Sequence, residues 1–256
     1  MAEQETHRGT PPLVRLIVGP TGVGKSAAAT GLARTIGAPI VVADRLQCFT
    51  DLLTTSARAG ADEPGVHRYW LGDRTFADGD LPAAEATDSL VRLVNRLGEQ
   101  HPSVIVEGGS VSLLRKLSAQ RAELPWRATV RILPVPDRAS YLAALTRRAS
   151  AMLAPPAPDR SLLEELAALW RDPGKRWLAA SVNGFEAVLE CCAKYGIDVE
   201  TIADGKLPQN VLARMAALIA ERHAEHGLLQ YRVFVELFEG WEKEHEIGHD
   251  TLGCAA

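Results

Sequence analysis

The stretch Gly19-Pro20-Thr21-Gly22-Val23-Gly24-Lys25-Ser26 carries residue types that can hold a phosphate. It fits G-x-x-x-x-G-K-[ST] at every fixed position, follows the apolar run Leu13-Val14-Arg15-Leu16-Ile17-Val18, and leads into the helix-forming Ala27 to Ala33. Its glycines let backbone N–H groups turn toward one point, where the start of a helix adds partial positive charge. That point is an anion site sized for a diphosphate. Lys25 places an ammonium on the phosphate oxygens, and the Ser26 hydroxyl is a ligand for a Mg²⁺ that bridges them. A carboxylate, Asp44, ends a second apolar run, Pro39-Ile40-Val41-Val42-Ala43, and is available as a base or a metal ligand. Arg148 lies three residues after Leu145 and four before Met152, on an apolar helical stripe. An arginine there calls for an anionic partner, because burying it unpaired is costly; Arg147, one position off, faces solvent.

These residues must be positioned by the elements around them. The continuous apolar runs read as strands of a parallel sheet covered on both faces. In such a sheet ligands gather beyond the carboxyl ends of the strands, so Asp44 is expected in the same crevice as the phosphate loop. Gly37 closes the first helix, His67 to Leu71 reads as a strand, and Pro82 to Leu97 as an amphipathic helix through Ala86, Leu90, Leu93, Val94 and Leu97. The strand Ser103 to Glu107 runs into Gly108-Gly109-Ser110, where two glycines permit close approach to the phosphate loop or simply a tight turn. Thr129 to Leu133 is the last strand, and from Asp137 onward the pattern is helical. There the Pro155-Pro156-Ala157-Pro158 break precedes a capping box, Ser161-x-x-Glu164. The expected fold is α/β: a phosphate-loop domain over residues 12–150, with a parallel sheet flanked by helices, and a smaller helical domain over 151–256 that covers the site. Residues 1–11, mixed in charge with Gly and Pro, are expected to be disordered.

With 46% apolar residues, a chain of 256 residues can build an ample core. The 28 Lys and Arg against 32 Asp and Glu leave a net charge of −4, which opposes a nucleic-acid footprint and favours a small anionic substrate. Cys48, Cys191, Cys192 and Cys254 show no C-x-x-C spacing and read as reduced thiols. There is no 18-residue apolar run and the start is polar, so a cytoplasmic protein without membrane contact is expected, working as a single chain. His245-Glu246-Ile247-Gly248-His249 matches H-E-x-x-H, but Gly248 weakens the helix that motif needs and no third ligand follows, so no zinc site is expected. His223 and His226 lie one helical turn apart and by themselves are ordinary histidines.

Taken together, Gly19-Pro20-Thr21-x-x-Gly24-Lys25-Ser26, Asp44-Arg45-x-Gln47-Cys48, Asp73-Arg74, Glu107-Gly108-Gly109-Ser110-x-Ser112-Leu113-Leu114, Arg148-x-x-x-Met152-Leu153 and Ile219-Ala220-x-x-x-x-x-His226 resemble the bacterial adenylate isopentenyltransferases. The likeness covers nearly the whole chain. It implies a P-loop NTPase-like fold and transfer of a dimethylallyl group from dimethylallyl diphosphate, or its hydroxylated analogue, to N6 of AMP, the first step of cytokinin biosynthesis. It gives Asp44 the role of general base and Thr21 and Lys25 contacts to the donor oxygen. Gly22, Gly24, Lys25, Ser26 and Arg148 bind the diphosphate with Mg²⁺, and Asp44, Ser56, Arg58 and Ser110 bind AMP. A pocket for the donor's tail falls to Asn183, His226 and His223. Asn183 stands where the family has Asp, and His223 where it has an aromatic residue. A tRNA dimethylallyltransferase resembles the chain at the phosphate loop but has Asp-Ser where Asp44-Arg45 stands here. A small-molecule kinase shares the sheet and loop and would show ATP-dependent phosphate transfer.

Overall fold

A computed structural model describes residues 11–58, 63–204 and 207–244. The phosphate loop lies between strand β1 (Leu13–Val18) and helix α1 (Lys25–Ile36), followed by β2 (Ile40–Val42) and the short α2 (Leu53–Ser56). Strand β3 (Arg68–Trp70), α3 (Ala83–Gly98), β4 (Ser103–Gly108), α4 (Val111–Ala119) and β5 (Arg127–Ile132) complete the first part. Four helices then follow, α5 (Arg138–Leu153), α6 (Leu162–Trp170), α7 (Arg176–Ala180) and α8 (Phe185–Tyr195). The 29-residue α9 (Gln209–Leu237) leads to β6 (Glu242–Lys243).

All six strands are parallel, in the order β3-β2-β4-β1-β5-β6. The expected α/β class with a covered parallel sheet is what the chain forms. Val14, Leu16, Ile40, Val41, Val104, Ile105 and Val130 are all sealed from solvent, which is why their runs are apolar without alternation. Alternate strand residues feed two layers. Val14, Leu16, Val41, Val104 and Val106 pack toward α3 and α4, while Ile17, Ile40 and Ile105 pack toward Ala29 and Ala33 of α1.

Helix α9 ties this sheet to the helical part. Its first half contributes Met215, Ala216, Leu218 and Ile219 to a core shared with α6 and α8. Its last turns contribute Val233 and Phe234 to the core under the sheet, next to Phe238. Between these ends, Ala220 and Ala224 pack against Tyr141 and Leu145 of α5, which brings the middle of α9 over the phosphate loop.

One strand goes beyond the helical pattern expected after Asp137. Glu242 and Lys243 pair with Thr129 and Val130 of β5. The addition is two charged, exposed residues long, and what seats it is Trp241, stacked edge-on against Phe238 at 5.3 Å. Neither length nor alternation betrays such a strand. Residues 1–10 and the His245-to-His249 motif, with Cys254, lie outside the described residues. Cys48, Cys191 and Cys192 are free and buried, as expected of reduced thiols. Among the described residues no helix is long and apolar enough to cross a membrane.

Candidate active site

Parallel register sets the site. Val18 at the end of β1 is paired with Gly108 at the end of β4, and Val42 at the end of β2 with Glu107. The phosphate loop, the Gly108-Gly109 turn and Asp44 therefore leave the sheet side by side. Gly22 and Gly24 hold φ of 81° and 87°, the left-handed region in which a side chain is strained. A Cβ at Gly22 would also come within 2.6 Å of Leu145 Cδ2, so α5 closes directly on the loop.

At the neighbouring turn, Gly108 approaches the backbone of β2 and Gly109 approaches the phosphate loop. A Cβ on Gly108 would lie 2.3 Å from the Ala43 carbonyl oxygen, and one on Gly109 would lie 3.4 Å from Lys25 Nζ. Because the first clash is with backbone, Gly108→Ala is expected to cost about 1–3 kcal/mol in denaturant unfolding. It should also lower turnover by shifting Asp44, the residue after Ala43. Unfolding and turnover both unchanged would show that the strands have room to part.

Asp44 is partly exposed, and its Oδ1 accepts from the Leu46 amide at 2.9 Å. It stands between two chambers. One, of about 400 Å³, is lined by Gly22, Gly24, Lys25, Ser26, Ser56, Arg148 and His223. The other, of about 800 Å³, is lined by Ser110, Arg115, Leu178, Val182, Glu186 and His226. Thr21, Asp44, Leu46 and Asn183 line both.

The residues expected to act together thus assemble, with two differences in placement. His223 and His226 are divided, the first in the phosphate-loop chamber and the second in the larger one. Arg58 lines neither: it is ion-paired with Asp73, stacks 4.4 Å over the Trp70 ring, and its backbone amide donates to Ser56 Oγ at 3.3 Å. Its place is behind Ser56.

The smaller chamber brings two buried cations, Lys25 and Arg148, together with the carboxylates of Asp44 and Glu107. Burial pushes the Lys25 ammonium down, opposed by the carboxylates of Glu107 and Asp44 and reinforced by Arg148. Lys25 Nζ donates to the Pro20 carbonyl at 2.7 Å. Arg148 is pushed down by burial and pulled back by Asp44, and its Nε is sealed from solvent with no hydrogen-bond partner. His223, sealed by burial beside Arg148, has its pKa lowered to about 4 and is neutral at physiological pH. Burial lowers His226 as well, against the pull of Glu186 and Asp44. A compact anion answers this arrangement.

Four residues support the site; three are outside every motif, and the fourth, Glu107, opens one without a role assigned to it. Tyr141, one face of α5 with Leu145 and Arg148, donates its hydroxyl to the Thr21 carbonyl at 2.6 Å. Gln230, buried on α9, accepts from the Thr21 amide at 2.9 Å. Glu107, 2% exposed, accepts from Ser26 Oγ at 3.2 Å and is ion-paired with Arg68. Glu165 of α6, also 2% exposed, accepts from the Thr54 and Thr55 amides at 2.9 Å each, and so fixes the short helix that presents Ser56. For Tyr141 and Gln230 a signal exists in retrospect: a polar residue on the buried stripe of a helix.

The sequence model of one protein family, described as isopentenyl transferase, matches residues 12–245. The chain is similar to an adenylate dimethylallyltransferase of Rhodococcoides fascians, 41% identical over 228 residues and 89% of each chain. It is also similar to one of Ralstonia solanacearum, 32% identical over 233 residues, 89% of this chain and 96% of the relative. Among solved structures, a tRNA delta(2)-isopentenylpyrophosphate transferase from Staphylococcus epidermidis superposes with a TM-score of 0.64 over 91% of this chain and 92% of that one. At 13% identity that likeness speaks for the fold alone. On the family match and on relatives of this identity and coverage, the chain belongs to the isopentenyl transferase family.

Proposed function

We propose that this protein transfers a dimethylallyl group from dimethylallyl diphosphate, or its hydroxylated analogue, to N6 of AMP with release of diphosphate. The observation that carries the reading is Asp44 standing between the phosphate-loop chamber, with Lys25 and Arg148 in its wall, and a larger second cavity. The names of the relatives in Rhodococcoides fascians and Ralstonia solanacearum support the same acceptor. In the reaction the N6 nitrogen forms a bond to the allylic carbon as the carbon–oxygen bond to diphosphate breaks. An adenine amine is a poor nucleophile because its lone pair is delocalised into the ring, so a carboxylate that takes its proton during attack lowers the barrier. Asp44 takes that proton. Lys25, Arg148 and the loop N–H groups stabilise the charge that develops on the leaving diphosphate.

The residues present also fit Mg²⁺. This ion keeps several waters and takes one or two protein oxygens beside those of a phosphate, and Ser26 Oγ, 3.2 Å from Glu107 Oε2, offers such a point. Ser26 would hold the ion with Glu107 behind it, and the ion would neutralise diphosphate charge. AMP lies in the larger cavity against Ser110, reaching past Asp44 toward Ser56, and the donor's tail runs from His223 in the phosphate-loop chamber past Asn183, which lines both chambers, toward His226. Buried, unpaired thiols suit a cytoplasmic setting.

Incubation of the purified protein with AMP, dimethylallyl diphosphate and Mg²⁺ is expected to yield prenylated AMP by mass spectrometry, with unmodified tRNA giving no product in the parallel reaction. Product on tRNA alone, or phosphate transfer from ATP, would overturn the reading.

A further inference from the structure

Gln230 is 3% exposed and sits in the stretch of α9 that covers the phosphate loop. Its Oε1 accepts from the Thr21 amide at 2.9 Å and from Thr21 Oγ1 at 3.3 Å, while its Nε2 donates to the Gly109 carbonyl at 2.7 Å. The orientation of the amide follows from its partners: a backbone N–H can only donate and a carbonyl can only accept. One side chain thus ties the loop that grips the donor to the turn before Ser110, and both to α9. Gly109 leaves the room, since a Cβ there would stand 3.0 Å from Gln230 Nε2. In the next peptide unit, Tyr141 holds the carbonyl of the same residue, Thr21. A loop rich in glycine has little stiffness of its own, so Thr21 is set between the two chambers by these contacts.

We propose that Gln230 is a positioning residue for the transfer step, a latch that fixes Thr21 against the Gly109 turn and thereby sets the donor chamber in register with the acceptor chamber. The proposal rests on the prenyl-transfer reading for its kinetic consequence, but not for the latch itself. The two bonds to Thr21 differ in kind. The amide bond at 2.9 Å holds the backbone, whereas the longer hydroxyl bond can be exchanged for a contact to the substrate without loosening the loop. The anion grip comes from Gly22, Gly24, Lys25 and Arg148, none of which Gln230 bonds. Loss of the latch therefore falls on alignment, and misplacement by about 1 Å is worth about 100-fold in rate.

Two variants and two readouts test this. Gln230→Leu removes all three bonds: kcat is expected to fall about 10- to 100-fold, with KM for dimethylallyl diphosphate within about threefold. Amide hydrogen exchange of the segment carrying Thr21 should quicken about fivefold, the factor of one net hydrogen bond. Gln230→Glu keeps an acceptor for Thr21 but donates to Gly109 only when protonated, a state favoured by burial. Its turnover relative to the unaltered protein should therefore rise several-fold from pH 8 to pH 6. The titratable neighbours Lys25, Asp44, Tyr141 and His226 are common to both proteins, so the ratio isolates position 230. A Gln230→Leu protein with kcat within twofold, or a flat Gln230→Glu ratio, would overturn the proposal. Unchanged hydrogen exchange at Thr21 would overturn the latch, whatever the acceptor proves to be; absence of prenylated AMP from the unaltered protein would instead sink the functional reading.

Discussion

Replacing Asp44 by asparagine is expected to lower turnover about 100- to 10,000-fold, the range over which a positioned general base contributes, while affinity for dimethylallyl diphosphate stays within about threefold. The substitution is a clean one. Asp44 Oδ1 accepts from the Leu46 amide at 2.9 Å, and an asparagine oxygen accepts the same bond, so the loop after β2 keeps its shape. What disappears is the capacity to take a proton at the junction of the two chambers. The charge also pulls upward on the pKa values of Lys25, Arg148 and His226, but the Arg148 guanidinium stays charged without it and the loop N–H groups do not titrate, so the grip on diphosphate persists. Single-turnover kinetics with prebound donor separate the two effects. Turnover within fivefold of the unaltered protein would remove Asp44 as the base, and a loss of donor affinity matching the loss of rate would make it part of the diphosphate site instead.

How much of this could be read from the chain depends on how local each relation is. The phosphate loop is legible because its eight residues are contiguous and each has a stated task. Asp44 is legible because a parallel sheet puts every strand end on one edge. Arg148 shows itself as a charge on the apolar stripe of α5. The latch is legible only in part: Gln230 stands out in retrospect as a polar residue on the buried stripe of α9, but its partner Thr21 lies 209 positions away and nothing local names it. The division of His223 from His226 is lost for another reason. Residues three apart on a helix point about 60° away from each other, so a small roll of α9 decides whether they share a cavity, and roll is set by the cores at its two ends. Glu165 has the same character, since a glutamate after a capping box reads as an exposed first-turn residue until α6 is seen against α2. Arg58 differs in the opposite direction. The family resemblance gives it to AMP, whereas in the free protein it is ion-paired with Asp73 and stacked on Trp70.

Arg148 offers the second large effect, because free and bound protein should respond with opposite signs. Its Nε is sealed off without a partner, and burial lowers its pKa, so in the free protein the cation is held where it is not fully paid back. Diphosphate supplies the missing partner. Arg148→Met removes the charge and keeps the stem that packs beside Leu145 and Met152. The free protein should therefore unfold at the same temperature or higher, since exchanging an ill-compensated buried charge for an apolar side chain is neutral or stabilising. Binding of inorganic diphosphate should weaken about 30- to 1,000-fold, the equivalent of roughly 2–4 kcal/mol for a partly buried charged contact. At a ligand concentration about 100 times the dissociation constant, the unaltered protein gains about 2.7 kcal/mol from binding. A 100-fold weaker variant gains only about 0.4 kcal/mol at that concentration. Thermal unfolding with and without diphosphate should thus show a large shift for the unaltered protein and almost none for the variant. Arg148→Lys should fall between, because an ammonium lacks the fork that grips two oxygens at once. A dissociation constant within threefold of the original would take Arg148 out of the diphosphate site, and a free variant destabilised by more than about 1 kcal/mol would make it a structural residue of α5.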